Sequence, residues 1–209
     1  MSTSVYSSLI EIMQARKSIR AYDPSFQISA DEVQEMIQEA ASAPSCRNLQ
    51  PWRFIVIQDA DVKKELKEIA NNQGQVETAS AVIAVIGDAE MHHKADQILS
   101  QNVAQGFITE EKKDTIVEST TSIYAETPLE LRKSMATFDA GLITMQLLLI
   151  AKAKGYDTVV IGGFNSEKFA ERFNLAESQF PIVLIAVGKA AAAPRGSTRL
   201  PIEDIVQFL

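Results

Sequence analysis

The clearest strand signal in the chain is the run Ala81-Val82-Ile83-Ala84-Val85-Ile86-Gly87, which is apolar and rich in β-branched residues. Similar short runs predict three more strands, at Arg53–Gln58, Asp157–Ile161 and Pro181–Val187. Helical patterns separate these strands along the chain. Short apolar strands bounded by helices predict an α/β or α+β fold with a central sheet, and the order of the strands in that sheet stays open.

The helices are predicted from apolar residues that recur at helical spacing. They cover Val5–Ile19, a segment from Ser29 to just before Pro44, Asp61–Asn71, Glu126–Lys154 and Ser166–Phe173, with a long polar helical region over roughly Glu90–Tyr124. Ser29 and Glu32 have the spacing of a capping box, which indicates where the second helix begins.

The predicted helix Glu126–Lys154 is apolar nearly all round in its second half. Because a helix that is apolar on every side is buried on every side, a second chain is expected to pack against it. The residues from Lys189 onward include Pro194 and Pro201 and predict an extended tail. This tail offers little apolar surface for packing on itself, so we expect it to lie over another surface.

Size and charge limit the possible functions. A chain of 209 residues is expected to form one domain, and a formal net charge of −7 argues against nucleic-acid binding. The single cysteine, Cys46, cannot form an intrachain disulfide. The first residues lack the basic start and apolar run of a signal peptide, and no uninterrupted apolar stretch is long enough to span a bilayer. We therefore expect a cytoplasmic protein that has no membrane partner.

One short segment of this acidic chain is unusually basic. Arg16-Lys17-Ser18-Ile19-Arg20 places three cations and a hydroxyl in five residues. Such a cluster suggests that a specific anion binds here, and phosphate is the commonest candidate. Arginine suits phosphate because its planar guanidinium group donates two charge-assisted hydrogen bonds to the phosphate oxygens. The alternative is that these cations only end the first helix, where the helix dipole favours positive charge.

Three further segments combine rigid or glycine-rich backbone with polar side chains. They are Ser42-Ala43-Pro44-Ser45-Cys46-Arg47-Asn48-Leu49-Gln50-Pro51-Trp52-Arg53-Phe54, Val160-Ile161-Gly162-Gly163-Phe164-Asn165 and Arg195-Gly196-Ser197-Thr198-Arg199-Leu200-Pro201. Rigid polar loops, and glycines that let a ligand approach the backbone, are common at binding sites. Each segment also has a purely structural interpretation. The first would be a stiff connector around a buried Trp52, the second a tight turn between a strand and a helix, and the third a solvated tail.

Taken in order, the four segments closely resemble the FMN-dependent nitroreductase family over nearly the whole chain. The resemblance implies an α+β fold with a central, mostly antiparallel sheet flanked by helices. It also implies an intertwined homodimer with two FMN sites at its interface, in which residues 189–209 wrap the partner subunit. The segment from about Glu90 to Leu131 matches no family motif that we can place. We expect the helical excursion over about 90–127 to lie near the active site.

The resemblance assigns roles residue by residue. Arg16, Ser18 and Arg199 match residues that bind the FMN phosphate, and Arg20 matches the basic residue near the pyrimidine edge of the flavin. Pro44, Ser45 and Asn48 match residues that approach the flavin from the partner subunit. The residues predicted to bind the cofactor are Arg16, Lys17, Ser18, Arg20, Pro44, Ser45, Cys46, Asn48, Gln73, Gly162, Gly163 and Arg199.

The glycine pair and one amide complete this prediction. Gly162 and Gly163 match the backbone that faces flavin N5, and Asn72 or Gln73 matches an amide contact to the flavin ring. Some relatives have a glutamate where Gly162 stands, so a contact of that side chain to water or substrate is in doubt here.

The implied activity is that of an FMN-dependent NAD(P)H oxidoreductase. NAD(P)H delivers a hydride to flavin N5 and leaves, and a nitroaromatic, quinone or similar flat acceptor then takes the electrons in the same pocket. The flavin carries the chemistry, so no catalytic side chain is predicted. Two rivals stay open: a relative with different flavin chemistry, such as flavin fragmentation or dehalogenation, and a flavin-binding protein without turnover. The natural acceptor and the preferred nucleotide also stay open.

Other chemistries find little support in the sequence. His92 and His93 are adjacent on a predicted helix with no further ligands at metal spacing, which predicts a solvated helix and no metal site. Cys46 has no histidine near it in sequence and is predicted to be a small buried filler rather than a nucleophile. No Gly-x-Gly-x-x-Gly segment is present, so NAD(P)H is expected to bind transiently over the flavin.

Overall fold

The computed structural model describes residues 3–209, with side chains from residue 8 onward, so the start of the chain, where no signal peptide was predicted, lies partly outside it. Its α-helices are α1 Thr3–Ala15, α2 Ala30–Ala40, α3 Ala60–Ile69, α4 Gly74–Thr78, α5 Ala95–Ala104, α6 Glu110–Glu126, α7 Leu129–Ala153 and α8 Ser166–Arg172. Its strands are β1 Trp52–Ile57, β2 Ala81–Asp88, β3 Asp157–Ile161 and β4 Gln179–Gly188. Short 3₁₀ turns lie at Cys46–Asn48, Met91–Lys94 and Ile202–Asp204.

The four strands form one sheet in the order β1-β2-β4-β3. Every neighbouring pair is antiparallel, and β2 and β4 are the two central strands. All eight residues of β2 are buried, as its continuous apolar run requires. The predicted α+β class with a central antiparallel sheet is therefore confirmed.

Alternation along the central strands divides the core into two layers. Ile83 and Val85 belong to a cluster that includes residues of α2 and α7, on one face of the sheet. Val82 and Ala84 belong to a second cluster that includes residues of α3 and α8, on the other face. Because successive strand residues point to opposite faces, one buried strand serves both layers, and the sheet lies between helices on either side.

The first helix is shorter than predicted. It ends at Ala15 rather than Ile19, so the basic segment is not helical, and only its first residue, Arg16, directly follows the helix end where the dipole acts. The reason is a competing backbone partner: the Ile19 N–H donates to the Thr158 carbonyl at 3.0 Å, and Ser18 forms an isolated bridge with Thr158 of β3. An exposed sheet edge thus takes the backbone bonds that a longer helix would have made.

The polar region predicted as one long helix over Glu90–Tyr124 is divided into the 3₁₀ turn Met91–Lys94, α5 and α6. The break between α5 and α6 lies at Gly106, whose φ of 73° is readily adopted only without a Cβ atom. Thr109 then caps α6 by accepting a hydrogen bond from the Lys112 N–H. These two local signals explain the division that helical periodicity alone did not show.

Helix α7 packs against β2 with one side and leaves another side open. Its buried residues include Ile143 and Leu147, which lie in the core cluster beneath the sheet. Leu131, Phe138 and Met145 are exposed and follow one another at intervals of seven residues. In residues 3–209, α7 is also the one helix whose length and composition would suffice to cross a membrane, a test that core helices of globular proteins pass as well.

The first testable prediction concerns the start of α2. Ser29 Oγ accepts a hydrogen bond from the Glu32 N–H at 3.2 Å, and Glu32 Oε2 accepts one from the Ser29 N–H at 3.1 Å, which is the predicted capping box. Ser29→Ala removes one half of the box and is expected to lower the free energy of unfolding by about 1 kcal/mol, measured by urea denaturation. Ser29→Thr keeps the hydroxyl and is the control. Equal urea midpoints for all three proteins would show that packing alone positions α2.

Candidate functional site

A cationic pocket lies between the basic segment 16–20 and the tail. It has a volume of about 340 Å³ and is lined by Met13, Arg16, Lys17, Ser18, Arg20, Arg195, Gly196, Ser197 and Arg199. Every ionisable residue in this lining is a cation, and two hydroxyls accompany them. The folded chain therefore places five positive charges around one opening on the surface of an acidic protein.

Backbone hydrogen bonds hold the two sides of the cationic pocket together. The Asp23 N–H donates to the Lys189 carbonyl, and the Ala191 N–H donates to the Ala21 carbonyl, both at 2.9 Å. The residues that follow β4 are thus paired with the residues that follow the basic segment. The basic segment itself pairs with β3 through Thr158. These bonds fix the start of the tail beside the basic segment, and Arg195 and Arg199 follow a few residues later.

The glycine pair lies at the end of β3, the strand that also bridges to Ser18. The side-chain amides of Asn71 and Gln73 each donate a hydrogen bond to the Gly163 carbonyl at 2.9 Å. Asn72 or Gln73 was predicted to contact the flavin ring, which stays a prediction; the structure places the Gln73 amide at Gly163. Both glycines are exposed, and a Cβ atom built on Gly162 would meet nothing within 4 Å. An open surface therefore adjoins the backbone there.

The loop that contains Pro44, Ser45 and Asn48 has an unusual backbone. Arg47, Asn48 and Gln50 all have positive φ, at 52°, 57° and 47°. For residues with a Cβ atom each such conformation costs about 1–3 kcal/mol, and it persists only where the surroundings enforce it. The concentration of three such residues in one loop indicates that the exposed side chains are held in set positions.

A buried carboxylate anchors this loop from below. Asp139 of α7 is 2% exposed, and its Oδ2 accepts a hydrogen bond from the Cys46 N–H at 3.0 Å. Burial raises the pKa of Asp139, although the bond from Cys46 acts in the opposite direction. Two further bonds complete the anchorage: the Gln50 N–H donates to Ser45 Oγ at 3.0 Å, and Arg47 Nη1 donates to Thr120 Oγ1 at 3.2 Å.

The loop and the cationic pocket are separate places on one protomer. The partners of the loop are α6 and α7, and no residue of 44–50 is among those that line the pocket in the part of the chain that the structure describes. Within one chain, the structure brings together Arg16, Lys17, Ser18, Arg20 and Arg199, and separately Gln73 and Gly163. That Pro44, Ser45, Cys46 and Asn48 act on the partner's cofactor remains a prediction.

Two sequence interpretations in this region were wrong. Cys46 is exposed rather than a buried filler, because it lies on the surface loop that the bond from its N–H to Asp139 holds in place. His92 is 5% exposed rather than solvated, because Met91–Lys94 forms a 3₁₀ turn that directs Met91 and His92 inward. The His92 ring stacks on Tyr124 with ring centroids 5.4 Å apart, and burial lowers the pKa of His92.

Several site residues were not singled out from the sequence. Arg195 and Ser197 line the cationic pocket. Both belong to the tail segment 195–201 that was singled out from the sequence, but only Arg199 of that segment was assigned a role. Asp139 was missed because a lone acid inside an apolar helix has no sequence signature. A second cavity of about 300 Å³ lies where the excursion meets the loop, lined by Leu49, Gln50, Arg53, Lys94, Gln97, Ile98 and Gln101.

Comparison with known proteins agrees with this geometry. The model of the Nitroreductase family matches residues 13–189. A Bacillus subtilis protein named "Putative NAD(P)H nitroreductase YdgI" is 42% identical over 95% of this chain and 96% of its own length. The "CLA biosynthesis enone reductase" of Lactiplantibacillus plantarum is 36% identical over 98% of this chain and 96% of its own length.

A solved structure has the same fold. It is the crystal structure of a protein from Exiguobacterium sibiricum that is named a putative nitroreductase and was solved in complex with FMN. Its sequence is 40% identical to this chain, and the TM-score of the two structures is 0.92. The match covers 96% of this chain and 97% of that one. With a family model that spans most of the chain and relatives that match it nearly end to end, this chain belongs to the nitroreductase family.

Proposed function

We propose that this oxidoreductase binds FMN with the phosphate in the cationic pocket and uses NAD(P)H to reduce nitroaromatics, quinones or similar flat acceptors. The observation that carries the proposal is the convergence of five cations and two hydroxyls from segments about 180 residues apart in sequence. A relative in complex with FMN, at 40% identity, supports the choice of cofactor.

The lining of the cationic pocket fits a phosphate. Arg16 and Arg199 offer planar forks that can each donate two hydrogen bonds to phosphate oxygens, and Ser18 adds a hydroxyl. No carboxylate in the pocket's lining competes for these donors. The dianionic end of FMN would therefore meet a site whose charge is opposite to that of the protein as a whole.

The remaining predicted contacts would position the flavin ring. Arg20 would hold a fixed cation beside the pyrimidine edge, where reduction develops negative charge. The amides of Asn71 and Gln73 fix the peptide bond between Gly163 and Phe164 by their bonds to the Gly163 carbonyl. When bound, FMN supplies the two-electron chemistry, accepting hydride from NAD(P)H and returning electrons to the acceptor, so the protein's part is to bind, orient and limit access.

The cavity of about 300 Å³ between the loop and the excursion is the proposed entrance for the acceptor. The 3₁₀ turn Met91–Lys94 and the first turns of α5 form one wall, and Leu49, Gln50 and Arg53 form the other. Amide and cationic groups dominate this lining, which suits acceptors that carry oxygen atoms. An enone is a further acceptor class to test, since one relative is named as an enone reductase.

A homodimer is the proposed assembly. Leu131, Phe138 and Met145 leave one stripe of α7 exposed, and Leu9 and Met13 of α1 are exposed as well. The tail ends in exposed apolar residues, namely Leu200, Ile202, Ile205, Val206, Phe208 and Leu209. Exposed apolar surface of this extent indicates a protein interface. In such a dimer the tail would wrap the partner, and the 44–50 loop would reach the partner's cofactor.

The decisive test of the proposed function is the visible absorption of the tag-free protein in the absence of air. The protein is expected to be yellow, to bleach with NADH or NADPH, and to regain its colour when a nitroaromatic or a quinone is added. Yellow protein that neither nucleotide bleaches would contradict the proposed donor and favour a flavin-binding protein without turnover. Colourless protein that does not bind added FMN would contradict the cofactor.

The cationic pocket makes a separate prediction about cofactor affinity. Each charge-assisted hydrogen bond contributes about 1.5–3 kcal/mol, so replacing both Arg16 and Arg199 by alanine is expected to weaken FMN binding by at least about 100-fold. Fluorescence titration with FMN measures the change. Arg172→Ala is the matched control, since this exposed arginine pairs with Glu65 on the surface, outside the pocket's lining. Unchanged affinity in the double variant would place the phosphate elsewhere.

The exposed stripe of α7 predicts the oligomeric state. Phe138 is 69% exposed in one protomer, and Phe138→Glu would bury a charge in the proposed interface. This variant is expected to raise the dimer dissociation constant by at least about 100-fold, measured by sedimentation. Phe107→Glu is the control, because Phe107 is 75% exposed and lies between α5 and α6. A dimer that tolerates Phe138→Glu as well as it tolerates Phe107→Glu would rule out this interface.

A further inference from the structure

The turn between β2 and α5 contains a cluster of metal-ligating side chains that the proposed flavin chemistry does not use. Glu90, His92 and His93 each offer one ligand atom, and these atoms lie within 4.8 Å of one another. None of the three lines the cationic pocket. We propose that this cluster is a divalent transition-metal site, with Zn²⁺ as the fitting ion, held by two imidazoles and one carboxylate.

The distances between the Glu90 carboxylate and the two imidazoles fit shared metal ligation better than direct hydrogen bonds. Glu90 Oε2 lies 3.5 Å from His92 Nε2 and 3.7 Å from His93 Nε2. Both separations exceed the usual 2.7–3.2 Å of an N–H···O hydrogen bond. Zinc–ligand distances of about 2.0–2.2 Å in a tetrahedron place ligand atoms about 3.3–3.6 Å apart. The Glu90–His92 separation falls within this range and the Glu90–His93 separation lies just above it, so a small movement of the exposed His93 ring would place three ligand atoms around one ion. Water would supply the fourth ligand.

The burial of His92 is a second, independent observation. His92 is 5% exposed, and its Nδ1 atom has no hydrogen-bond partner in the described part of the chain. The other ring nitrogen, Nε2, lies 3.5 Å from Glu90 Oε2, which is longer than a usual hydrogen bond. Ligation through Nε2 would give this buried ring one strong polar contact and would leave Nδ1 as it is. His93 is exposed, so its ring can turn toward the ion without disturbing the core.

Neighbouring residues orient the Glu90 carboxylate toward the two imidazoles. Arg132 Nη1 donates to Glu90 Oε1 at 2.6 Å, which leaves Oε2 directed at the two imidazoles. Asp88 Oδ1 accepts the Glu90 N–H at 3.0 Å and adds a negative charge beside the site. Metal-ligating carboxylates and imidazoles are commonly oriented by such outer hydrogen bonds. The arrangement matches the two-histidine, one-carboxylate set that several transition metals accept.

A bound ion would also brace the loop beside the proposed acceptor entrance. His92 stacks on Tyr124, and the Tyr124 hydroxyl lies 3.7 Å from Cys46 Sγ in the 44–50 loop. Fixing His92 thus fixes the aromatic ring beneath that loop. Lys94, the last residue of the same turn, lines the cavity of about 300 Å³.

The composition of the chain makes the test specific, because it has two histidines and one cysteine in total. Tag-free protein is treated with EDTA, desalted and titrated with Zn²⁺ in competition with a chromogenic chelator. One equivalent of Zn²⁺ per chain is expected, and Co²⁺ is expected to give the visible bands of a tetrahedral site without thiolate absorption.

His93→Gln changes an exposed ligand and so leaves the core intact, which circular dichroism verifies. It is expected to weaken Zn²⁺ binding by more than the roughly 10–100-fold loss that removal of an outer partner causes. Cys46→Ser is the matched control and is expected to keep both stoichiometry and affinity. The proposal is overturned if the protein binds no Zn²⁺ at tenfold excess, if His93→Gln binds as tightly as the unchanged protein, or if Cys46→Ser abolishes binding. FMN binding measured on the same samples keeps this test independent of the proposed function.

Discussion

The site depends on backbone pairing at the edge of the sheet. Residues 18–23 leave α1, pair with Thr158 of β3 and then with the chain that follows β4. These few hydrogen bonds decide where the basic segment ends and where the tail begins. Without them, Arg16 would lie at a helix end and Arg199 in a solvated tail, and nothing would offset the repulsion that arises when the two cations are brought together. With them, residues from both ends of the chain line one cationic pocket.

The packing of the sheet fixes the position of its β3 edge. Because β2 is buried on both faces, α2 and α7 pack on one side of the sheet, α3 and α8 pack on the other, and β2 contributes side chains to both layers. β3 is the outer strand at one edge, so it keeps free backbone groups that the basic segment can use. An exposed edge strand is normally a risk for aggregation, and here Ser18 and Ile19 cover part of it by pairing with Thr158.

Much of this could be read from the sequence, and the failures have physical causes. The strands and the capping box at Ser29 are local features, and local patterns predicted them. The end of α1 was misplaced because the Thr158 carbonyl, far away in sequence, competes for the Ile19 N–H. His92 was misjudged because a 3₁₀ turn and an α-helix direct neighbouring side chains differently. Arg16, Ser18 and Arg199 were found from family motifs, whereas Arg195, Ser197 and Asp139 required the folded structure.

Two neighbouring residues of α7 connect assembly with the site. Phe138 faces outward on the stripe proposed to meet a partner, and Asp139 faces inward and holds the Cys46 N–H. Since both belong to one rigid helix, the side chains of the 44–50 loop have a set position relative to the proposed interface. The loop's positive φ values have the same consequence, because a strained backbone that is anchored by a buried carboxylate has few other conformations. In the proposed dimer, such a loop can serve a cofactor in the neighbouring subunit only if the interface is as rigid as the loop, and the exposed apolar stripe of α7 is the surface proposed to supply that rigidity.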